Sequence, residues 1–237
     1  MKEIFLKKLS LQLIMLVLLV FPALSVAQEI PVNEYGLPVV NSAELYQQRV
    51  AQDFSRKLVN LEQFIPGIAL DIRYATDDNF MKQQLYSVAR AYLRLPAAKA
   101  LKQAQDELQK QGLGLKIFDA YRPYRITVNM WETYKDPTYV ASPKTGSRHN
   151  RGCAVDLTLI DLKSGKQLEM PTPYDSFSEK AHHDYTDLPE NVLQNRALLK
   201  ATMEKHGFQP LSSEWWHYDY SGWDRFPVMD IPLSKLP

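Results

Sequence analysis

The chain has 237 residues, 45% of them hydrophobic, which is enough for one sizeable core. Its formal net charge is +1, with no basic run and no glycine-rich phosphate loop, so nothing in its electrostatics favours nucleic acid or an anionic membrane surface. Cys153 is the only cysteine, which excludes an internal disulfide.

Residues 1–27 read as a leader rather than as part of the fold. Lys2, Lys7 and Lys8 give a positive start, residues 11–21 are apolar except for Gln12, and Ser25-Val26-Ala27 places small residues before a cleavage point. Cleavage is expected between Ala27 and Gln28, leaving a mature chain of 28–237 that is periplasmic or secreted. A retained anchor is the alternative, but the apolar run is short for spanning a bilayer. No second long apolar stretch follows, so no stable membrane insertion of the mature chain is expected.

Residues 28–41 hold Pro31, Gly36 and Pro38 and read as an extended lead-in. Ser42 can cap a helix whose inner side carries Leu45, Val50 and Phe54. Pro66 and Gly67 close that region, and 69–75 reads as a strand from which Tyr74 projects. The clearest helix is 96–111, with Pro96 in its first turn and an apolar stripe of Ala97, Leu101, Ala104 and Leu108. Gly112 and Gly114 terminate it. A short buried strand, 115–118, leads into Asp119-Ala120-Tyr121-Arg122-Pro123. Arg122 therefore sits just past a strand end, where it is either a functional group on a rigid support or one half of a surface ion pair.

A short helix over 126–134 and a polar loop over 135–146 follow. Residues 154–160 read as a strand with Ala154, Asp156 and Thr158 on one face and Val155, Leu157 and Leu159 on the other. A turn at 161–165 and a return strand at 166–170 come next. The connection over 171–189 is long enough to suggest function and contains Asp175, His182 and His183. Adjacent side chains diverge in regular structure, so the histidine pair is assigned a structural role. A helix over 191–206 carries Val192, Leu193, Leu198, Leu199 and Met203 as its apolar residues, and Gly207 ends it. Residues 214–220 form an aromatic strand, followed by a proline-rich tail.

Two stretches concentrate the chemistry. Ser147 to Asp156 offers His149 and Asp156 seven residues apart, and Glu214-Trp215-Trp216-His217 offers a carboxylate and an imidazole three apart. Two histidines and one aspartate make a three-ligand zinc site with a fourth position open to water. Glu214 is then free to act as general base. An unpartnered Asp156 inside an apolar strand would be costly, and a metal is a good partner. Glu214 and His217 face opposite ways on an ideal strand, so a bulge at Glu214 is required if both reach one ion. Read singly, His149 is a loop residue, Asp156 a turn former and His217 a core histidine. Cys153 could serve as nucleophile or fourth ligand, or pack as a small apolar residue opposite Asp156.

Ser-x-His-x-x-Gly-x-Ala-x-Asp followed by Glu-x-Trp-His resembles the signature of the zinc D-alanyl-D-alanine dipeptidases and their carboxypeptidase and endopeptidase relatives. Residues 71–80, 119–123, Tyr174-Asp175 and His182-His183 resemble dipeptidase blocks in the same order, and the resemblance covers residue 70 to the end. It implies one α+β domain, a small and mostly antiparallel sheet carrying one zinc ion with helices packed on it. It implies zinc held by His149, Asp156 and His217, with Glu214 as base and Arg122 as the transition-state arginine. It also implies that Tyr74, Ser147 and Asp175 meet the substrate, a small dipeptide. Two rivals stand beside it: a carboxypeptidase or endopeptidase acting on peptidoglycan stems, and a non-catalytic zinc module like the hedgehog signalling domain. The sequence leaves the oligomeric state open.

Overall fold

A computed structural model describes residues 28–236; the stretch read as a leader lies outside them. In chain order the elements are β1 (Val39–Val40), α1 (Ala43–Gln52), β2 (Leu58–Asn60), α2 (Leu61–Phe64), β3 (Ala69–Leu70), β4 (Tyr92–Arg94) and α3 (Leu95–Gln109). They continue with β5 (Leu113–Asp119), α4 (Tyr124–Thr133), β6 (Ala154–Asp161), α5 (Glu190–Lys205), β7 (Phe208–Leu211), β8 (Glu214–Tyr220) and β9 (Val228–Met229).

The central sheet runs β3-β5-β6-β8-β7. Only the β3–β5 pair is parallel; the other three pairings are antiparallel. The sheet is thus mixed but mostly antiparallel, and helices α3 and α5 pack on it in an α+β arrangement. The α3 stripe of Ala97, Leu101, Ala104 and Leu108 is fully buried, as its spacing predicts. Val155, Leu157 and Leu159 of β6 meet the same core. The opposite face of β6 carries Asp156 and is covered by connections, with Tyr174 stacked on Phe118 at 4.6 Å between ring centroids. The lead-in is tied to the tail by parallel pairing of β1 with β9, Val39 opposite Val228.

Several local expectations need correction. Ser42 does cap α1, its hydroxyl accepting from the Leu45 N–H at 3.1 Å, and Leu45 is buried. Phe54, expected inside, is 62% exposed. Asp53 ends α1 and caps a new 3-10 turn through Ser55 N–H, so the helical phase is lost before Phe54. The strand expected over 69–75 stops at Leu70, and Tyr74 lies in a 3-10 turn, Arg73–Ala75. The return strand at 166–170 reduces to a single bridge, Ile160 to Gln167. The chain there is drawn toward α5, where the Asn195 side chain donates to Glu169 O at 2.9 Å.

Candidate active site

All eight residues singled out in the sequence line one cavity of ≈ 290 Å³: Tyr74, Arg122, Ser147, His149, Asp156, Asp175, Glu214 and His217. They come from separate parts of the chain, and the sheet brings them together. Asp156 on β6 lies directly opposite His217 on β8. His149 arrives from a 3-10 turn, His149–Arg151, that Gly152 closes at φ 69°, a left-handed conformation suited to glycine. Arg94, almost fully buried, braces this turn by donating from Nε to Arg151 O at 2.9 Å and from its backbone N–H to Gly152 O at 2.8 Å.

The conflict between Glu214 and His217 is resolved by the irregularity that the geometry demanded. Pro210 of β7 pairs with Tyr218, but the next residue, Leu211, pairs with Glu214. Residues 215–217 therefore bulge out of the β7–β8 ladder, and both Glu214 and His217 turn into the cavity.

Three donor atoms converge there. His149 Nε2 lies 3.1 Å from His217 Nδ1 and 3.3 Å from Asp156 Oδ1, and His217 Nδ1 lies 3.0 Å from Asp156 Oδ1. A tetrahedral ion with ligands at about 2.0–2.1 Å sets them about 3.3 Å apart. The edges of this triangle thus fit zinc. The tautomers fit as well. His149 Nδ1 is 2.7 Å from Ala120 O, and a carbonyl only accepts, so Nδ1 carries the proton and Nε2 presents a lone pair inward. Among the described residues, this trio forms the single group of histidine, cysteine or acidic side chains placed to share an ion. Cys153 is fully buried and outside it; burial pushes its thiol up to about 12, so it is neither nucleophile nor ligand.

The charges around the trio are strongly coupled. Burial alone would raise Asp156, but the two imidazoles beside it, when protonated, hold it well below the usual carboxylate range. Burial would lower His217, yet Asp219 and Asp156 outweigh it and hold it well above 6.5. Glu214 lies 4.0 Å from His217 Nδ1, and burial pushes its carboxyl up to about 7. Asp175 is held well above the carboxylate range, first by burial and then by the charge of Asp156. Its backbone is left-handed at φ 59°, unusual for a residue with a side chain, and Tyr74 donates to it at 3.0 Å. Ser147 lies just before the His149–Arg151 turn, its hydroxyl accepting from His149 N–H at 3.2 Å.

Arg122 is not a surface ion pair. It is buried, donates from Nε to Asp119 Oδ2 at 2.9 Å and stands over the Tyr74 ring at 5.1 Å. Its Nη2 also lies 2.7 Å from Asp119 and 3.8 Å from Asp156. Tyr86 donates to the other Asp119 oxygen at 2.8 Å, so the arginine is held on a fixed support.

A family model described as D-ala-D-ala dipeptidase matches residues 54–227. The chain belongs to the D-ala-D-ala dipeptidase family. It is 36% identical over 178 residues to a D-alanyl-D-alanine dipeptidase of Escherichia coli, covering 75% of this chain and 92% of that relative. It is 34% identical to one from Enterococcus faecium and 32% identical to one from Enterococcus faecalis, each match covering 67% of this chain and 88% of the relative.

Behind the residues that face the cavity stand Asp119 and Tyr174, with Asp219 at its edge. Asp119, Tyr174 and Asp219 were not singled out as site residues. Tyr174 donates to Asp156 Oδ2 at 2.9 Å, and Asp219 Oδ1 lies 3.0 Å from His217 Nε2. A signal did exist: Asp119 falls three residues before Arg122 in one block, Tyr174 adjoins Asp175 in another, and Asp219 shares a strand face with His217. His182 and His183 lie outside the trio. The His183 ring instead packs edge-on to Tyr218, with centroids 6.2 Å apart.

Proposed function

We propose that this protein is an exported zinc dipeptidase that hydrolyses D-alanyl-D-alanine to two D-alanines, with one zinc per chain held by His149, Asp156 and His217. The observation that carries this reading is a single small cavity that combines the donor trio, Glu214, Arg122 and the half-buried carboxyl of Asp175. Its ≈ 290 Å³ lies at the small end of ligand pockets, which run from roughly 300 to 1,000 Å³, and so suits a dipeptide. When bound, zinc polarises the scissile carbonyl and lowers the pKa of water beside it.

The chain's own residues supply the rest. Glu214, poised near neutrality by burial, takes a proton from the attacking water and gives it to the departing amine. Arg122, fixed by Asp119, stabilises negative charge as it builds on the carbonyl oxygen. Asp175 and Tyr74 receive the free α-ammonium of the substrate, and Ser147 lines the same space. The half-buried Asp175 carboxyl gains a charge-assisted hydrogen bond from that ammonium, which an acylated amine cannot supply. This favours a free dipeptide over a chain. Export rests on residues 1–27. Among the described residues no helix is long and apolar enough to cross a membrane.

The test is to incubate zinc-loaded protein lacking residues 1–27 with D-alanyl-D-alanine and with an intact pentapeptide stem. Release of D-alanine from the dipeptide alone is expected. Efficient release from the stem would move the protein to the carboxypeptidase side, and cleavage of neither would overturn the reading.

A further inference from the structure

Each of the three metal-facing side chains is backed by a partner on its far side. For His149 the partner is the Ala120 carbonyl, and for Asp156 it is the Tyr174 hydroxyl. For His217 it is Asp219, the one partner of the three that carries a charge, at 3.0 Å from Nε2. An ionised carboxylate only accepts, so the Nε2 proton points at Asp219 and Nδ1 is the nitrogen directed at His149 and Asp156.

The strand builds this contact. Asp219 follows His217 by two residues on β8 and shares its face. Pairing of Asp219 with Ala154 and of His217 with Asp156 fixes both against β6. Asp219 is 9% exposed and reaches the edge of the cavity. Its second oxygen lies 3.6 Å from Arg148 Nε, and the Arg148 guanidinium sits 4.8 Å above the Trp223 ring. A continuous set of contacts thus runs from a surface tryptophan, through Arg148 and Asp219, to the ring that faces the metal position.

Resting on the zinc reading above, we propose that Asp219 is a positioning residue for the metal centre, fixing the tautomer and rotation of His217 and strengthening that ring as a donor through its charge. Its contact with His217 is at Nε2, the ring nitrogen that faces away from the donor triangle. The rival explanation is that Asp219 only neutralises Arg148 at the cavity rim, in which case zinc affinity is indifferent to it.

The two are separated by measuring zinc affinity directly. Metal-free wild type, D219A and D219N are titrated with zinc against a chromophoric chelator, and each metal-free protein is melted in parallel. Loss of such an outer partner typically costs about 10–100-fold in metal affinity, and that loss is expected for D219A. D219N keeps an acceptor oxygen but no charge, so an intermediate weakening is expected, with a metal-free melting temperature close to wild type. At saturating zinc, D219N should retain the wild-type KM, because the residue acts through His217 alone. If D219A fails to fold, D219N decides the matter: zinc affinity within twofold of wild type in that variant would overturn the proposal. Absence of zinc binding by the wild type would instead overturn the metal assignment, a distinguishable failure.

Discussion

Glu214 lies 4.0 Å from His217 Nδ1, beside the donor triangle and not within it. Binding and chemistry should therefore separate at this residue. Glu214→Gln is expected to retain zinc while losing about 10²–10⁴-fold in kcat, the usual contribution of a general base. Metal analysis with turnover measurement checks it; loss of zinc would make Glu214 a ligand. At Asp175 the left-handed backbone is a cost that a ligand contact would explain. Asp175→Asn should raise KM with zinc content unchanged, and N-acetylation of D-alanyl-D-alanine should block cleavage by the wild type. Brisk turnover of the acetylated dipeptide would refute the role given to Asp175.

At the scale of elements, the turn carrying His149 is the most constrained. Gly152 adopts φ 69°, and a Cβ there would meet Leu58 Cδ2 at 2.7 Å. The left-handed backbone alone costs a residue with a side chain about 1–2 kcal/mol. Gly152→Ala should accordingly lower the melting temperature and weaken zinc binding together, since the turn and His149 move as one. Unchanged zinc affinity would show that the turn does not position the ligand.

Much of this level was legible in the sequence. The α3 stripe, the β6 alternation and the required bulge near Glu214 follow from periodicity and from a conflict of facing. What was hidden depends on contacts between distant segments. Tyr74 sits in a turn that the Asn79 side chain organises by donating to Thr76 O at 2.8 Å and Gln83 O at 2.9 Å, and no period announces such a knot. Phe54 keeps helical spacing from Val50, yet a cap at Asp53 turns it to solvent. Asp119 and Tyr174 stand in family-like blocks, but the contacts they make, Asp119 with Arg122 and Tyr174 with Asp156, form only once β5 and the 171–189 connection are laid against β6.

At the scale of the molecule, helices cover one face of the sheet and connections roof the other, so loop order and site integrity are linked. His183 lies in the connection that also bears Asp175, and its backbone N–H donates to Ser212 O at 2.9 Å. Burial, reinforced by Arg196 and Lys200, lowers its pKa to about 4. The depressed value means that the unfolded chain takes up a proton first as pH falls. The stability contributed by neutral His183 is thus complete above about pH 6.5, the ordinary histidine value, and is lost as pH falls toward 4. Melting curves of wild type and His183→Phe across that window should show the variant less sensitive to acid; parallel curves would contradict this.

On the proposed reading, one catalytic metal sits in one cavity. The most direct test is release of D-alanine from D-alanyl-D-alanine as metal-stripped protein is titrated with zinc. Activity should be absent at the start, rise in proportion to added metal and reach its plateau at one zinc per chain. Full activity in the stripped protein, or a plateau requiring two equivalents, would contradict it.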